Sequence, residues 1–277
     1  IIQAVLSGGT KNIWDDGMRG LAPRDIAMNV ALPEVDGRIL ARAISFKSAK
    51  RWDEATQTNV VRHEPVPDRV AWTARLAAAW ARLRQETMGE RRVAVVMANY
   101  PNKDARIGNG VGLDTPASAA LVLKALAAQG YDVADVPSDG EALITQLLAG
   151  PTNDLVRRRG KRSQAVLSLE AYREKFAELP EDVRSSMTER WGDPETDPHV
   201  AEGAFQLAIH RFGKVVVGVQ PARGYNIDPK ATYHDPDLVP PHGYFAFYMW
   251  LTQEFDSHAV IHLGKHRLPH RLQAVLS

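Results

Sequence analysis

Histidines concentrate in one stretch of the chain, Val215 to His266, where apolar runs alternate with dense polar loops. The stretch contains His234, His242, His262 and His266 among Arg, Asn and Asp residues. Neutral imidazoles suit borderline divalent metals such as cobalt or zinc, and an imidazole can also take a proton near neutral pH. This stretch therefore predicts metal or acid–base chemistry.

The spacing of the last histidines needs a structural interpretation. They recur at every fourth residue from His258 to His270, a spacing that on a helix would form one metal-binding face. Gly264 and Pro269 argue against a helix, and the run AVIHL favours a strand. His262 then lies near a strand end. There, a histidine close to a second one favours function over simple packing in a core.

Polar loops follow three predicted strands, Val93–Met97, Val215–Val219 and Ala259–Leu263. In open α/β sheets, ligands bind beyond the carboxyl ends of the strands. These loops contain five candidate ligand-binding residues, namely Arg106, Asn109, Arg223, Asn226 and Lys265. The guanidinium of Arg223 could bind a carboxylate through two parallel hydrogen bonds, or it could pair with Asp228 or Asp235.

Nucleotide-binding motifs are absent from the sequence. The glycines at 108, 110 and 112 miss the dinucleotide fingerprint, because Leu113 occupies the position of its last glycine. A Walker A loop is also missing, since Arg162 follows Gly160-Lys161 and His266 follows Gly264-Lys265 where Ser or Thr is required. We therefore expect no ATP site in this chain.

Composition excludes further classes of site. The chain has no cysteine, which excludes disulfides, thiolate zinc sites and iron–sulfur clusters. The 34 Lys and Arg residues nearly balance the 33 Asp and Glu residues, so net charge gives no reason to expect a nucleic acid or an anionic membrane as partner.

No run approaches the ~18 apolar residues of a membrane span, and we expect a cytoplasmic protein. The chain opens on a strand-like run without an initiator Met, so we expect a fragment of a longer polypeptide.

The alternation of β-branched runs with helical segments predicts an α/β fold, with largely parallel sheets flanked by helices in two subdomains. Two further strands are predicted, at Ile1–Leu6 and Tyr131–Val136. Helices are predicted over Val70–Leu83, after Asp114 with Thr115 as cap, after a capping box of Ser138 and Glu141, over Ser168–Leu179 and over Pro180–Trp191. We expect three regions: a partial α/β region with a linking helix at 1–90, a βαβα unit at 91–152, and a second α/β region with a helical insertion at 153–277.

Four separated segments resemble, in order, the large subunit of the aerobic, ATP-dependent cobaltochelatase. They are ALPEVDGRILARAISFK (Ala31–Lys47), RRVAVVMANYPNKDARIGNGVGLDTPAS (Arg91–Ser118), VGVQPARGYNIDPKATYHDPDLVPPHGYFAFYMW (Val217–Trp250) and AVIHLGKH (Ala259–His266). The large subunit of magnesium chelatase is a relative. The LGKH and QPARGYN forms favour the cobalt branch.

The resemblance implies insertion of Co²⁺, the substrate metal, into hydrogenobyrinic acid a,c-diamide during adenosylcobalamin synthesis, a ligase reaction that forms nitrogen–metal bonds. It also implies two smaller partner subunits, one of them an AAA+ ATPase that hydrolyses ATP with Mg²⁺. On this basis His262 and His266 would be catalytic, and His234 and His242 would join them as metal ligands. The five loop residues Arg106, Asn109, Arg223, Asn226 and Lys265 would bind the peripheral groups of the ring.

The sequence departs from the family pattern after His266, where RLPHRLQAVLS replaces a GNLEWLPGK-like stretch. We therefore expect the isolated chain to be catalytically incomplete. Two alternatives stay open. One is a non-catalytic tetrapyrrole or metal carrier, or an assembly scaffold, derived from the same family. The other is a magnesium chelatase relative.

Overall fold

The computed structural model describes residues 1–277 apart from 18–19, 49–50, 100–106, 111, 223, 225–237 and 265–277. The chain divides into two compact units, Ile1–Gln85 and Glu86–Ser277. The predicted division into three regions stays a prediction.

The first unit is built around a parallel pair of strands. Its sheet has the order β1 (Ile2–Thr10), β2 (Ile39–Lys47) and β5 (His63–Pro65), with β1 parallel to β2 and β5 antiparallel to β2. Val5, Ala43 and Phe46 form its buried core. The predicted strand at Ile1–Leu6 is confirmed as β1, which begins at Ile2, and the predicted helix at Val70–Leu83 is confirmed within α4 (Pro67–Gln85). The elements are β1 Ile2–Thr10, α1 Lys11–Asp15, α2 Pro23–Ile26, a π-helical turn Ala27–Ala31, α3 Leu32–Val35, β2 Ile39–Lys47, β3 Arg51–Asp53, β4 Thr58–Val60, β5 His63–Pro65 and α4 Pro67–Gln85.

The second unit carries the longer series of elements. In its first half these are a 3-10 turn Met88–Glu90, β6 Val93–Met97, β7 Asn109–Gly110, β8 Leu113–Asp114, α5 Thr115–Ala128, α6 Gly140–Ala149, β9 Val166–Ser168, α7 Leu169–Ala177 and α8 Glu181–Trp191. In its second half they are a 3-10 turn Pro194–Thr196, β10 Val200–Ala201, β11 Ala204–Gln206, β12 Ile209–Phe212, β13 Val215–Val219, α9 His242–Met249, a π-helical turn Trp250–Glu254 and β14 Ala259–Leu263.

The main sheet of this unit has the strand order β12-β13-β6-β14. Strands β13 and β14 both run parallel to β6, whereas β12 pairs antiparallel with β13. Val219 and Leu263 both lie opposite Met97. The three parallel strands therefore end at the same level of the sheet. This confirms the predicted α/β class and the three strands whose loops were selected from the sequence.

Helices cover both faces of this sheet, which explains why β6 is a continuous apolar run. Val93, Val95 and Met97 contact the cluster that contains the apolar side chains of α5 and α6. Ala94 and Val96 point to the other face, into the cluster formed by α9, α7 and their neighbours. Because every residue of β6 is buried, the strand shows no alternation of apolar and polar residues.

Two helix caps differ from the prediction by one residue. Asp114, rather than Thr115, accepts a hydrogen bond from the Ala117 N–H at 3.0 Å. Asp139, rather than Ser138, accepts one from the Ala142 N–H at 2.9 Å, and this bond lowers the pKa of its carboxyl. A carboxylate binds the free N–H groups of a first turn and also complements the positive end of the helix dipole.

The predicted strand at Tyr131–Val136 is wrong, since the segment joins no sheet. Tyr131, Val133 and Val136 still pack partly buried against the apolar cluster beneath α5 and α6. The carbonyl of Asp132 accepts one hydrogen bond from the Lys214 N–H, and Asp135 has a φ of +48°. A left-handed residue turns the chain out of the extended path that a strand requires. The apolar pattern therefore reflected packing without strand pairing.

Candidate functional site

The sequence placed the site at the carboxyl ends of three strands, and the structure brings those ends together. Of the predicted residues there, His262 lies on β14 and is fully described. Asn109 lies in β7, and its side chain is outside the description. The remaining loop residues, Arg106, Arg223, Asn226, His234, Lys265 and His266, lie outside the described residues. Their predicted roles stay predictions.

His262 occupies a defined row across the sheet. It lies opposite Val96 on β6, and Val96 lies opposite Gly218 on β13. Side chains of one row point to the same face of a sheet, so His262 shares the face that α9 covers.

Helix α9 comes unusually close to this row because β13 carries a glycine there. A Cβ atom at Gly218 would lie 2.5 Å from Cζ of Phe247, a distance that side-chain atoms do not tolerate. The missing side chain lets the helix pack directly on the sheet. Tyr248, the next residue of the helix, stacks on the imidazole of His262, with 6.1 Å between ring centroids and 28° between ring planes.

Gln220 follows β13 directly and connects the strand end to the helix. Its N–H donates to the carbonyl of Met97 at 2.9 Å. Its side-chain amide nitrogen donates to the hydroxyl oxygens of Tyr244 at 2.9 Å and Tyr248 at 3.3 Å. The amide of Asn153 in turn donates to the carbonyl of Gln220 at 2.6 Å. The glutamine is therefore fixed through both its backbone and its side chain.

His262 is well placed to act as a base. The residue is exposed on the edge strand, yet burial of part of its imidazole lowers its pKa from the ordinary value. The packing against Tyr248 gives one apolar side to the ring. A lowered pKa favours the neutral imidazole at neutral pH. Neutral imidazole is the form that accepts a proton or binds a metal ion.

His242 has a different environment from the one predicted for a metal ligand. Its Nε2 donates to the carbonyl of Gly192 at 2.9 Å, and its Nδ1 then accepts from the hydroxyl of Tyr172 at 2.7 Å. Burial raises the pKa of Tyr172, so that phenol remains a donor, and burial lowers the pKa of His242. With both nitrogens in hydrogen bonds, His242 would have to break one to bind a metal. Its metal role stays a prediction.

A buried carboxylate fixes the start of α9. Asp197 accepts hydrogen bonds from the Gly243 N–H at 2.7 Å and from the His199 N–H at 2.8 Å, and it also contacts Nδ1 of the His199 ring at 3.1 Å. A Cβ atom at Gly243 would lie 2.9 Å from the His199 ring. The start of the helix is thus held by an anion at its N-terminus, where the helix dipole favours negative charge.

The described residues contain no group of three or more His, Asp or Glu side chains placed to hold a metal ion. Nor does the described part of the chain include a helix long and apolar enough to cross a membrane. The described site presents one exposed imidazole, that of His262, at the strand ends. Tyr244 and Tyr248 are buried behind it and are hydrogen-bonded to Gln220. The imidazole can accept a proton or bind a metal ion.

Sequence reasoning missed Gln220, Tyr244 and Tyr248. A signal for them exists in the sequence. Gln220 is the first polar residue after a wholly apolar strand, and the two tyrosines stand four residues apart, on one side of a helix. That spacing alone does not distinguish a site from a packed core, because the neighbours of both tyrosines are aromatic as well.

Comparisons with known proteins find relatives over nearly the whole chain. A family model described as CobN/Magnesium Chelatase matches residues 1–268. The aerobic cobaltochelatase subunit CobN of Sinorhizobium sp is 54% identical over 266 residues, which are 96% of this chain and 21% of that protein. The corresponding subunit of Pseudomonas aeruginosa is 48% identical over 266 residues, with the same two shares.

A solved structure gives the same result for the fold. The catalytic subunit of cobaltochelatase from Mycobacterium tuberculosis matches with a TM-score of 0.77 and 39% sequence identity. The match covers 96% of this chain and 22% of that chain. The chain thus spans 21% or 22% of the length of these three relatives. From the extent of the family match and these identities, the chain belongs to the CobN/Magnesium Chelatase family.

Proposed function

We propose that this chain is the tetrapyrrole- and metal-handling segment of a cobaltochelatase large subunit. The complete subunit would insert Co²⁺ into hydrogenobyrinic acid a,c-diamide for adenosylcobalamin synthesis. The observation that carries the proposal is the common end of β6, β13 and β14, at which Val219, Met97 and Leu263 share one level. Ligands of open α/β sheets bind beyond such an edge.

Metal insertion into a tetrapyrrole sets three chemical requirements. The macrocycle must lose its N–H protons, the metal ion must shed water, and the ring must be held while both happen. A neutral imidazole at the strand ends, as at His262, supports the first requirement. We assign His262 and His266 as proton acceptors and metal-delivering ligands, with His234 and His242 as further ligands.

Holding the ring is a separate task. The five loop residues Arg106, Asn109, Arg223, Asn226 and Lys265 belong to the segments that follow β6, β13 and β14. Guanidinium, ammonium and amide groups donate hydrogen bonds to carboxylate and carboxamide oxygens. We assign these residues to the peripheral groups of the macrocycle.

The energy for insertion would come from outside this chain. The sequence has no Walker A loop, so ATP with Mg²⁺ would be hydrolysed by a partner. We therefore include two smaller subunits in the proposal, one of them an AAA+ ATPase, acting on the large subunit of which this chain forms a part.

The proposal is tested by replacing His262→Ala in the large subunit and measuring Co²⁺ insertion in the complete assembly. We expect the rate to fall about 100-fold, the lower range for loss of a general base. His63→Ala, at an exposed position of the first unit, is the matched control and should leave the rate unchanged. An unchanged rate in the His262→Ala subunit would remove the role given to this residue.

A further inference from the structure

A cavity of about 110 Å³ lies in the second unit, between the C-terminal end of α6 and the first residues of β12. We call it the α6–β12 cavity. Its walls are largely apolar, and three polar side chains line it, those of Arg162, Gln164 and His210. A single water needs only about 10–15 Å³, whereas sites for drug-sized ligands measure about 300–1,000 Å³. The cavity therefore has room for one small chemical group rather than for a whole ligand.

His210 brings an imidazole without a partner to this cavity. It lies opposite Val217 on β13, and Val217 lies opposite Val95 on β6. Both valines belong to the cluster beneath α5 and α6, so the half-buried side chain of His210 points to that face of the sheet. Its ring contacts that of Phe212, with 4.9 Å between centroids. Within the described part of the chain, neither ring nitrogen has a hydrogen-bond partner.

Gln164 and Arg162 add further hydrogen-bond donors. The side-chain oxygen of Gln164 accepts from the Arg211 N–H at 2.8 Å, which fixes the amide and leaves its NH₂ group as the donor end. Arg162 is paired with Glu202 at 4.0 Å, and both side chains are largely exposed, at 88% and 77%. An exposed ion pair is worth about 0–1 kcal/mol, so the guanidinium can turn to a better-placed acceptor.

The charge at the cavity suits an anion with a single charge. Burial lowers the pKa of His210, an effect that the carboxylate of Asp135 opposes without reversing it. The imidazole is then neutral near pH 7, and the lining residues that the structure describes carry one positive charge, on Arg162. The C-terminal end of α6 by itself disfavours an anion. Lys161 offsets this end of the helix dipole, because its ammonium group donates to the Leu148 carbonyl at 2.6 Å.

We propose that the α6–β12 cavity binds one short carboxylate group, whose oxygens accept from the guanidinium of Arg162, the imidazole N–H of His210 and the amide of Gln164. The apolar walls hold the short hydrocarbon stem of the group. A phosphate dianion does not match a single positive charge, and a neutral carboxamide leaves that charge without a partner.

The cavity borders the edge of the sheet at which we place the tetrapyrrole. Val219, the last residue of β13, lines it. Because β6 separates β13 from β14, about 10 Å, or two strand spacings, lie between this wall and the strand of His262. One source of the carboxylate is therefore a peripheral arm of a tetrapyrrole held at the strand ends, and the other is a free short-chain carboxylic acid. The cavity site goes beyond the proposed function, and only the first source rests on that function.

The test is a titration of sodium propionate into the wild-type chain, followed by the NMR signals of the His210 ring and of the Gly150 N–H. Propionate should bind saturably and shift both signals. Propionamide, which has the same shape and no charge, should bind at least about tenfold more weakly. Arg162→Gln and His210→Phe should each weaken the binding of propionate about tenfold, because each removes one donor to a charged acceptor.

Two further variants separate this effect from a general change in charge. Arg159→Gln removes the same charge from an exposed residue of the same loop that does not line the cavity, and its affinity should match that of the wild type. Glu202→Gln removes the competing partner of Arg162, so propionate should bind about twofold to fivefold more tightly. A purely structural role of Arg162 would not produce this gain. Thermal unfolding of each variant confirms that it is folded.

A competition experiment identifies the source of the carboxylate. If an arm of the pigment occupies the cavity, saturating propionate and Arg162→Gln should both weaken the binding of hydrogenobyrinic acid a,c-diamide. If propionate binds and neither change affects the pigment, the source is a free small carboxylic acid. Equal binding of propionate and propionamide, or equal affinities in Arg162→Gln and Arg159→Gln, would overturn the inference. Failure of the pigment to bind a chain that still binds propionate would count against the proposed function alone.

Discussion

His262 combines an exposed position with a ring that is partly withdrawn from water. Its place on the edge strand β14 makes it reachable, and its contact with Tyr248 removes water from one side of the imidazole. Loss of hydration penalises the charged form, so the pKa falls. A base with this property stays neutral over a wider range of pH than a histidine in water.

We therefore expect NMR titration of the chain to give His262 a pKa below the ordinary value of about 6.5. Tyr248→Leu should move the pKa upward toward that value, because the smaller side chain leaves the imidazole better hydrated. Thr252→Ala, one turn further along the same helical segment, serves as the control and should not move it. A pKa at or above the ordinary value in the wild type would contradict this account of the site.

His242 makes stability depend on pH. Its pKa is lowered in the folded chain, so between that value and about 6.5 the unfolded chain binds a proton that the folded chain does not. The stabilisation that neutral His242 provides is therefore fully present above about pH 6.5. It is lost as the pH falls from there toward the lowered pKa.

The variant His242→Asn tests this dependence by urea unfolding at pH 7.5 and pH 5.5. It keeps an acceptor for Tyr172 and loses the bond to Gly192, so we expect a loss of about 1–3 kcal/mol at the higher pH. The difference in free energy of unfolding between the wild type and the variant should be smaller at pH 5.5 than at pH 7.5. If this difference in free energy of unfolding is the same or larger at pH 5.5, His242 does not titrate as described.

At the scale of single residues, the sequence predicted only groups whose chemistry is visible in their type and place. His262 was predicted as a site residue because it stands with a second histidine near a strand end, beside Lys265. The pairing of His242 with Tyr172 joins residues 70 positions apart and was not predictable. The same holds for Gln220 and the two tyrosines, whose link depends on how closely α9 packs on the sheet.

Gly218 controls that close packing at the scale of elements. Gly218→Ala places a methyl group 2.5 Å from Phe247, so the helix must move away from the sheet. Overpacking of a buried contact costs about 1–3 kcal/mol, and we expect a loss of that size in chemical unfolding. Gly89→Ala is the control, because its added Cβ would meet nothing closer than 3.7 Å. Equal stability of the two variants would contradict the close contact of α9 with the sheet.

Elements with strong local patterns were predicted well. The helix that ends before Gly192 and the buried strands β6 and β13 lie where their patterns put them. The strand predicted at Tyr131–Val136 was wrong, because the apolar residues of this segment pack against the core without pairing with a strand. The observed N-caps, Asp114 and Asp139, each lie one residue from the predicted caps, Thr115 and Ser138. The residue that caps a helix is set by the geometry of the turn before it, and residue type alone does not determine that geometry.

At the scale of the whole molecule, the rule for open sheets directed attention to the ends of three strands, and the strand order shows that these ends are neighbours. Strand β6 lies between β13 and β14, although β6 comes first in the sequence by more than 100 residues. The sequence indicated polar loops after these strands but not that the strands are neighbours. Adjacency is a tertiary property, and here it brings the ends of the three strands to one edge.

The central claim is that the tetrapyrrole site lies within these 277 residues. The most direct measurement is a titration of hydrogenobyrinic acid a,c-diamide into the wild-type chain, followed by the absorption of the pigment and the quenching of tryptophan fluorescence. Our account predicts saturable binding with a single affinity in both signals. Lack of saturable binding, by a chain that is folded in thermal unfolding, would contradict it.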